Sequence, residues 1–165
     1  METNQLVKHV QFREQLLKLE GMIKEKQENG ELESCLDQCT LKHYFTPRSE
    51  YGCYNYAREI FLPKGSIVIG KIHKHEHLNF IMQGKVSVAT EFGKKYFTAP
   101  CTFVSEVGLK RAVYAEEDTI WVTVHMVKYG SEAELAEIED EVIAKTYEEI
   151  GLISAPQAIK EIGDK

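Results

Sequence analysis

The sequence predicts a mainly β protein, a single barrel of about eight short strands with α-helices before and after it. Three observations carry this. Short apolar runs fill the stretch from Tyr54 to Tyr129. Turn signals punctuate that stretch at residues 63–65 (PKG), Gly84, 91–94 (EFGK) and 115–118 (AEED). Helical periodicity occurs only outside it. The chain therefore divides into a helical N-terminal extension over 1–53, a β-barrel over 54–129 and a C-terminal helical segment over 130–165.

The first helix is predicted from Phe12, Leu16, Leu19 and Ile23, which share one face of a helix. Asn29 and Gly30 stop it, and Leu32, Cys35, Leu36 and Cys39 suggest a short second helix. Strands are then expected at 58–62, 66–72, 78–90 with a break at Gly84, 95–98, 101–105, 111–114 and 119–127. Of the alternating pairs Ile67/Ile69, Phe80/Met82, Val86/Val88 and Trp121/Thr123, at least one member of each is expected in a core. At the end, Ser131 and Glu134 have capping-box spacing. Leu135, Ile138, Val142 and Ile143 continue a helical stripe toward Gly151, and the tail from Ser154 holds one further turn.

Composition narrows the partners. A net charge of −6 argues against a nucleic-acid surface, which needs a basic face. No apolar run approaches the ~20 residues of a membrane helix. Cys35, Cys39, Cys53 and Cys101 form no C-x-x-C pair and read as reduced, packed thiols, so the expected compartment is the cytoplasm.

Chemistry concentrates at His73, His75 and His77, three histidines at alternate positions before a strand. One continuous strand would aim all three to one side. A turn at Lys74 and His75, with His75 exposed, suits a hairpin that reverses there. Neutral imidazole is the commonest side-chain metal ligand. Residues 111–114 and 119–125 read as a hairpin about 116–118, which would set His125 opposite Lys110 and Arg111. His73, His77 and His125 then make a three-histidine site with open positions for water or substrate.

The order of these features resembles the cupin superfamily. Those jelly-roll barrels carry a first motif of the form G-x5-H-x-H-x3,4-E-x6-G and a second of the form G-x5-P-x-G-x2-H-x3-N. Counting back from Gly84, His77 takes the glutamate position, and Lys71 and His73 take the histidine pair. In the second motif Gly108 fits, while Glu106 stands for the proline and Arg111 for the histidine. The stretch 54–125 is also similar to small cupin-like proteins of bacteriophages, the cues being 42–45 (KHYF), 57–61 (AREIF), 70–73 (GKIH), 114–118 (YAEED) and 121–125 (WVTVH).

The resemblance implies a jelly-roll barrel and a small-molecule pocket. A divalent metal (Zn, Fe, Mn or Ni) on His73, His77 and His125 suits an enzyme, a dioxygenase, isomerase or hydrolase with Glu76 or Glu106 as its base. Lys71, His75, Asn79 and Arg111 are the candidate ligand contacts, and basic groups at the mouth suit an anionic or phosphate-bearing ligand such as a nucleotide signal. Lys110 reads as a surface charge on the rim. A third reading is structural, a homo-oligomer, dimer favoured, of phage type in a host cytoplasm. Neither a nucleic acid nor a membrane is expected as partner.

Overall fold

A computed structural model describes residues 2–152. Helix α1 runs Glu2–Glu28 and closes on Gly30, whose φ of 72° allows Gly30 N–H to reach Gln27 O and Glu31 N–H to reach Lys26 O. A single 3-10 turn at Cys35–Gln38 leads into β1 (Thr40–Phe45), then β2 (Tyr54–Leu62), β3 (Ile67–Ile69), β4 (Ile72–His73), β5 (His77–Gln83) and β6 (Lys85–Thr90). There follow β7 (Gly93–Thr98), β8 (Cys101–Ser105), β9 (Ala112–Ala115), β10 (Thr119–Val127), α2 (Leu135–Val142) and β11 (Ile143–Ala144).

The strand pairing is nested. β6 pairs with β7, β5 with β8, β3 with β9 and β2 with β10, all antiparallel. Rolling such a long hairpin gives sheets ordered β2-β10-β5-β8 and β3-β9-β6-β7, the jelly-roll arrangement, and β1 extends the first. The fold is thus mainly β, a jelly roll with flanking helices. Among the described residues the two large sheets share no strand, so the expected barrel is a sandwich open at its edges. Between the sheets lie Leu62, Ile81, Val86, Val88, Val113, Ala115 and Trp121. Burying side chains of this size contributes about 1.5–3 kcal/mol each. Gly84 turns β5 into β6 with φ 81°, and a Cβ there would strike the Asp118 carbonyl, so only glycine fits.

Several expectations change. The predicted second helix is one 3-10 turn followed by a strand, so the sheet begins at Thr40 rather than Tyr54. Residues 40–45 (TLKHYF) suit a pleated surface, and the open edge of β2 supplies their hydrogen bonds. The predicted hairpin of 111–114 with 119–125 does not form: β9 lies in one sheet and β10 in the other, and residues 116–118 cross between them. On β5 the buried phase is His77, Asn79 and Ile81, whereas Phe80 and Met82 face outward, Met82 at 60% exposure. Ile67 is likewise exposed while Val68 packs on the core. β3 is apolar on both faces, and on β5 the buried phase is the one carrying His77 and Asn79, so alternation alone does not say which face is inner.

On α1, Val10 and Leu16 are buried but Leu19 is exposed. Polar anchors set its pose: Arg13 pairs with Glu91, and Glu20 with Lys110 at 2.9 Å. Ser131 donates to Glu134 (2.7 Å) instead of capping the backbone. Helix α2 stops at Val142, not near Gly151, because Ile143 and Ala144 extend to pair with His73 and Ile72. Gly151 caps a later 3-10 turn. The turn expected from Ser154 lies outside the described residues. The four cysteines are free thiols, all partly buried. Among the described residues no helix is long and apolar enough to cross a membrane.

Candidate metal and ligand site

Three strands bring the histidines together. β4 places His73, and β11 clamps it by pairing Ile143 with it. The chain bends through residues 74–76, and His77 opens β5. Thr123 lies against Asn79 and Val124 against Leu78, so continuing that register sets His125 beside His77 on the inner face. Ring centroids are 4.1 Å apart for His73–His77, 4.5 Å for His77–His125 and 5.2 Å for His73–His125. One nitrogen from each lies within 4.8 Å of the others.

Electrostatics leaves these rings neutral. Burial pushes His73 down to about 2, with His77, His125, Arg111 and Arg58 adding to the effect. Burial takes His77 down to about 4, partly opposed by the His75 carbonyl, with Arg111 lowering it further. His125 falls to about 3, through burial first, then His77, Arg58 and His75. Neutral imidazoles are competent ligands without releasing protons. His77 Nδ1 meets the His75 carbonyl at 3.2 Å, which makes Nδ1 the donor and turns Nε2 to the cluster. His73 Nδ1 is buried with no hydrogen-bond partner. An orphaned buried acceptor beside two neutral imidazoles fits a divalent metal held by His73, His77 and His125.

His73 and His125 open onto a cavity of about 370 Å³ between the first sheet and α2. His43, Tyr56, Arg58 and Lys71 share its wall, and Leu135, Ile138 and Val142 cover it. Arg58 stands between His43 and Thr123 in the strand register and makes no ion pair among the described residues. Tyr56 Oη meets His43 Nδ1 at 2.7 Å, its ring lies 6.4 Å from that of His125, and burial raises the phenol pKa. Lys71 is exposed at the mouth, paired with Glu139.

The other expected site residues fall elsewhere. His75 and Glu76 are exposed on the bend. Asn79 is fully buried and committed: Nδ2 donates to Ser105 Oγ (2.8 Å) and His77 O (3.2 Å), and Oδ1 accepts from Trp121 Nε1 (3.0 Å). That corrects its expected role as a ligand contact, because every polar atom it has is used inside the core. Arg111 is buried between the sheets, donating to Ser105 Oγ, and faces a different cavity at the open edge that Glu106 also lines. Lys110 is not a surface charge: it is 5% exposed and donates to Gly70 O at 2.9 Å.

Arg58 and Tyr56 are not singled out by the sequence, and His43, which reads there as a structural residue of a polar loop, lies on β1. The signal for Arg58 was present, since it shares one phase of β2 with Tyr56, Ile60 and Leu62, an otherwise apolar row in which it alone is exposed.

No family model matches the chain, and no curated protein matches it. Solved structures similar to it include ectoine synthase from P. lautus, 13% identical, TM-score 0.48, covering 61% of this chain and 72% of that one. KdgF from Halomonas sp. is 17% identical, TM-score 0.44, over 58% of this chain and 83% of that one. A cupin superfamily protein from Desulfitobacterium hafniense DCB-2 is 11% identical, TM-score 0.45, over 59% and 85%.

Proposed function

We propose that the protein binds a small anionic molecule in the histidine-lined cavity, over a divalent metal held by His73, His77 and His125. The observation that carries this is the convergence of three neutral imidazoles, His73 with an orphaned nitrogen, beside Arg58, a cation without a carboxylate partner. Imidazole-only sites suit Zn, Fe or Ni better than Mn, which prefers carboxylate oxygens, and a bound metal supplies Lewis acidity. Arg58 offers a planar fork to a carboxylate or phosphate, while Lys71 at the mouth is held by Glu139. Helix α2 covers the cavity and limits water access.

A second reading is turnover in the same cavity. It rests on the Tyr56–His43 hydrogen bond, which holds a phenol beside His125 where it can move a proton to or from the ligand. Glu76 is exposed on the bend and is the weaker candidate base.

The test is elemental analysis of untagged protein, followed by calorimetry of the metal-loaded protein against carboxylates, sugar phosphates and nucleotides. The nucleotides address the ligand class suggested by the phage-like sequence cues. We expect about one metal per chain, lost in His73→Ala and His77→Ala, and an anion whose affinity drops roughly tenfold or more in Arg58→Met. Metal retained in both histidine variants, or equal affinity in Arg58→Met, overturns the reading.

We also propose that the protein is a homodimer formed through the outer face of the five-stranded sheet. On that face Phe61, Ile120, Val122, Val124, Phe80 and Leu78 are neighbours in the register, and Met82 and Met126 are 60% and 71% exposed. The polar neighbours Asn55 and Glu59 interrupt this apolar row, an exposed apolar patch marks an interaction surface, and two-fold pairing is the commonest way to cover one.

A further inference from the structure

We infer that a second small-molecule site lies at the open edge of the sandwich, where Arg111 receives the carboxylate of a compact apolar acid. This site opens from a different cavity than the one His73 and His125 line, although the Arg111 charge is felt at His73 and His77.

Arg111 is 6% exposed, and among the described residues no carboxylate lies within ion-pair distance of it. Its guanidinium lies 5.6 Å over the Trp121 ring, and one nitrogen is bound by Ser105 Oγ. Gly70 makes room for the stem, since a Cβ there would sit 3.2 Å from Arg111 Cγ. A buried charge of this kind is costly unless an anion pairs with it. Even with burial lowering it to about 10, the group stays cationic at neutral pH.

Space for the counter-ion is already present. A cavity of about 140 Å³ reaches Arg111 between the edge strands β7 and β8. Its walls include Val88, Phe97, Phe103 and Leu109, with Lys95 and Glu106 also lining it. Phe97 and Phe103 stack at 4.3 Å, and Phe103 meets Trp121 edge-on at 5.8 Å. Drug-sized ligands take roughly 300–1,000 Å³, so this volume holds a single-ring fragment. One buried guanidinium matches one carboxylate in a bidentate pair, and the apolar walls take the hydrocarbon. A dianionic phosphate would meet those walls with charge left unpaired.

Trp121 is the chain's only tryptophan, which makes its fluorescence a direct reporter. The full-length protein in excess chelator is titrated with cyclohexanecarboxylate and with the neutral isostere cyclohexanecarboxamide. We expect saturable binding of the acid and roughly ten- to hundredfold weaker binding of the amide. Nuclear Overhauser contacts should run from the acid's ring to Phe97 and Phe103. Arg111→Met, checked for fold by near-ultraviolet circular dichroism, should lose the discrimination. If that variant does not fold, the acid-to-amide ratio in the wild type decides. Equal affinities, no saturable change, contacts to His43 and Tyr56 instead, or retained discrimination in folded Arg111→Met would each overturn the inference. Because chelator is present throughout, failure here leaves the metal reading of the histidines standing, and the reverse also holds.

Discussion

Acidifying the metal-free protein should destabilise it sharply between pH 7 and pH 5, and the three histidines set the size of the effect. In the unfolded chain each takes up a proton near pH 6.5. In the fold, burial first, with neighbouring charges second, holds His73, His77 and His125 near 2, 4 and 3. Between those values the unfolded state binds more protons, so stability falls as pH falls. From pH 6.5 to 5 each histidine removes about 1.4 kcal/mol per pH unit, about 2 kcal/mol in all, giving a ceiling of about 6 kcal/mol. Water entering the cavity screens His73 and His125, which line it, and brings the expected loss to about 3–5 kcal/mol. That is a large share of the ~5–15 kcal/mol typical of a domain. Urea unfolding in chelator, followed by Trp121 fluorescence, reads it directly. His125→Phe should flatten the pH slope by about a third, and zinc at pH 7 should raise the midpoint. A midpoint independent of pH across this range, or the same slope in His125→Phe, would refute the reasoning.

Two further outcomes follow from the packing. Asn79→Leu leaves the Trp121 indole N–H without its acceptor and removes one of the two donors to Ser105 Oγ, Arg111 being the other, which should cost about 2–4 kcal/mol in urea unfolding; a loss under ~0.5 kcal/mol would show that this buried knot is not a stabilising element. Met82→Glu with Met126→Lys places charge on the outer sheet face, and light scattering should show a dimer in the wild type and a monomer in the double variant. A monomeric wild type, or a dimeric double variant, rejects that interface.

The class of fold and the place of the histidines were legible because both depend on local order. Period-two runs broken by glycine mark strands wherever they occur, and His73, a bend and His77 lie within five consecutive residues. The limits of β5, β6, β8 and β10 follow the same turn signals. What the sequence by itself did not determine is which face of each strand looks inward. Along 78–82 the fully apolar phase is Leu78, Phe80 and Met82, yet Asn79 and Ile81 became core when β8 and β10 settled on either side of β5.

The pairing of β10 was equally nonlocal. Three residues after β9 look like a hairpin turn, yet Gly84 packs against the Asp118 carbonyl and the chain crosses to the other sheet. His125 therefore reaches His77 through β5 rather than by lying opposite Arg111. The same crossing separates the two guanidiniums, so that Arg58 faces the histidine cavity and Arg111 the open edge. Local sequence determines the period of each strand; only the tertiary structure, through contacts between strands far apart in the chain, decides which side of it meets water.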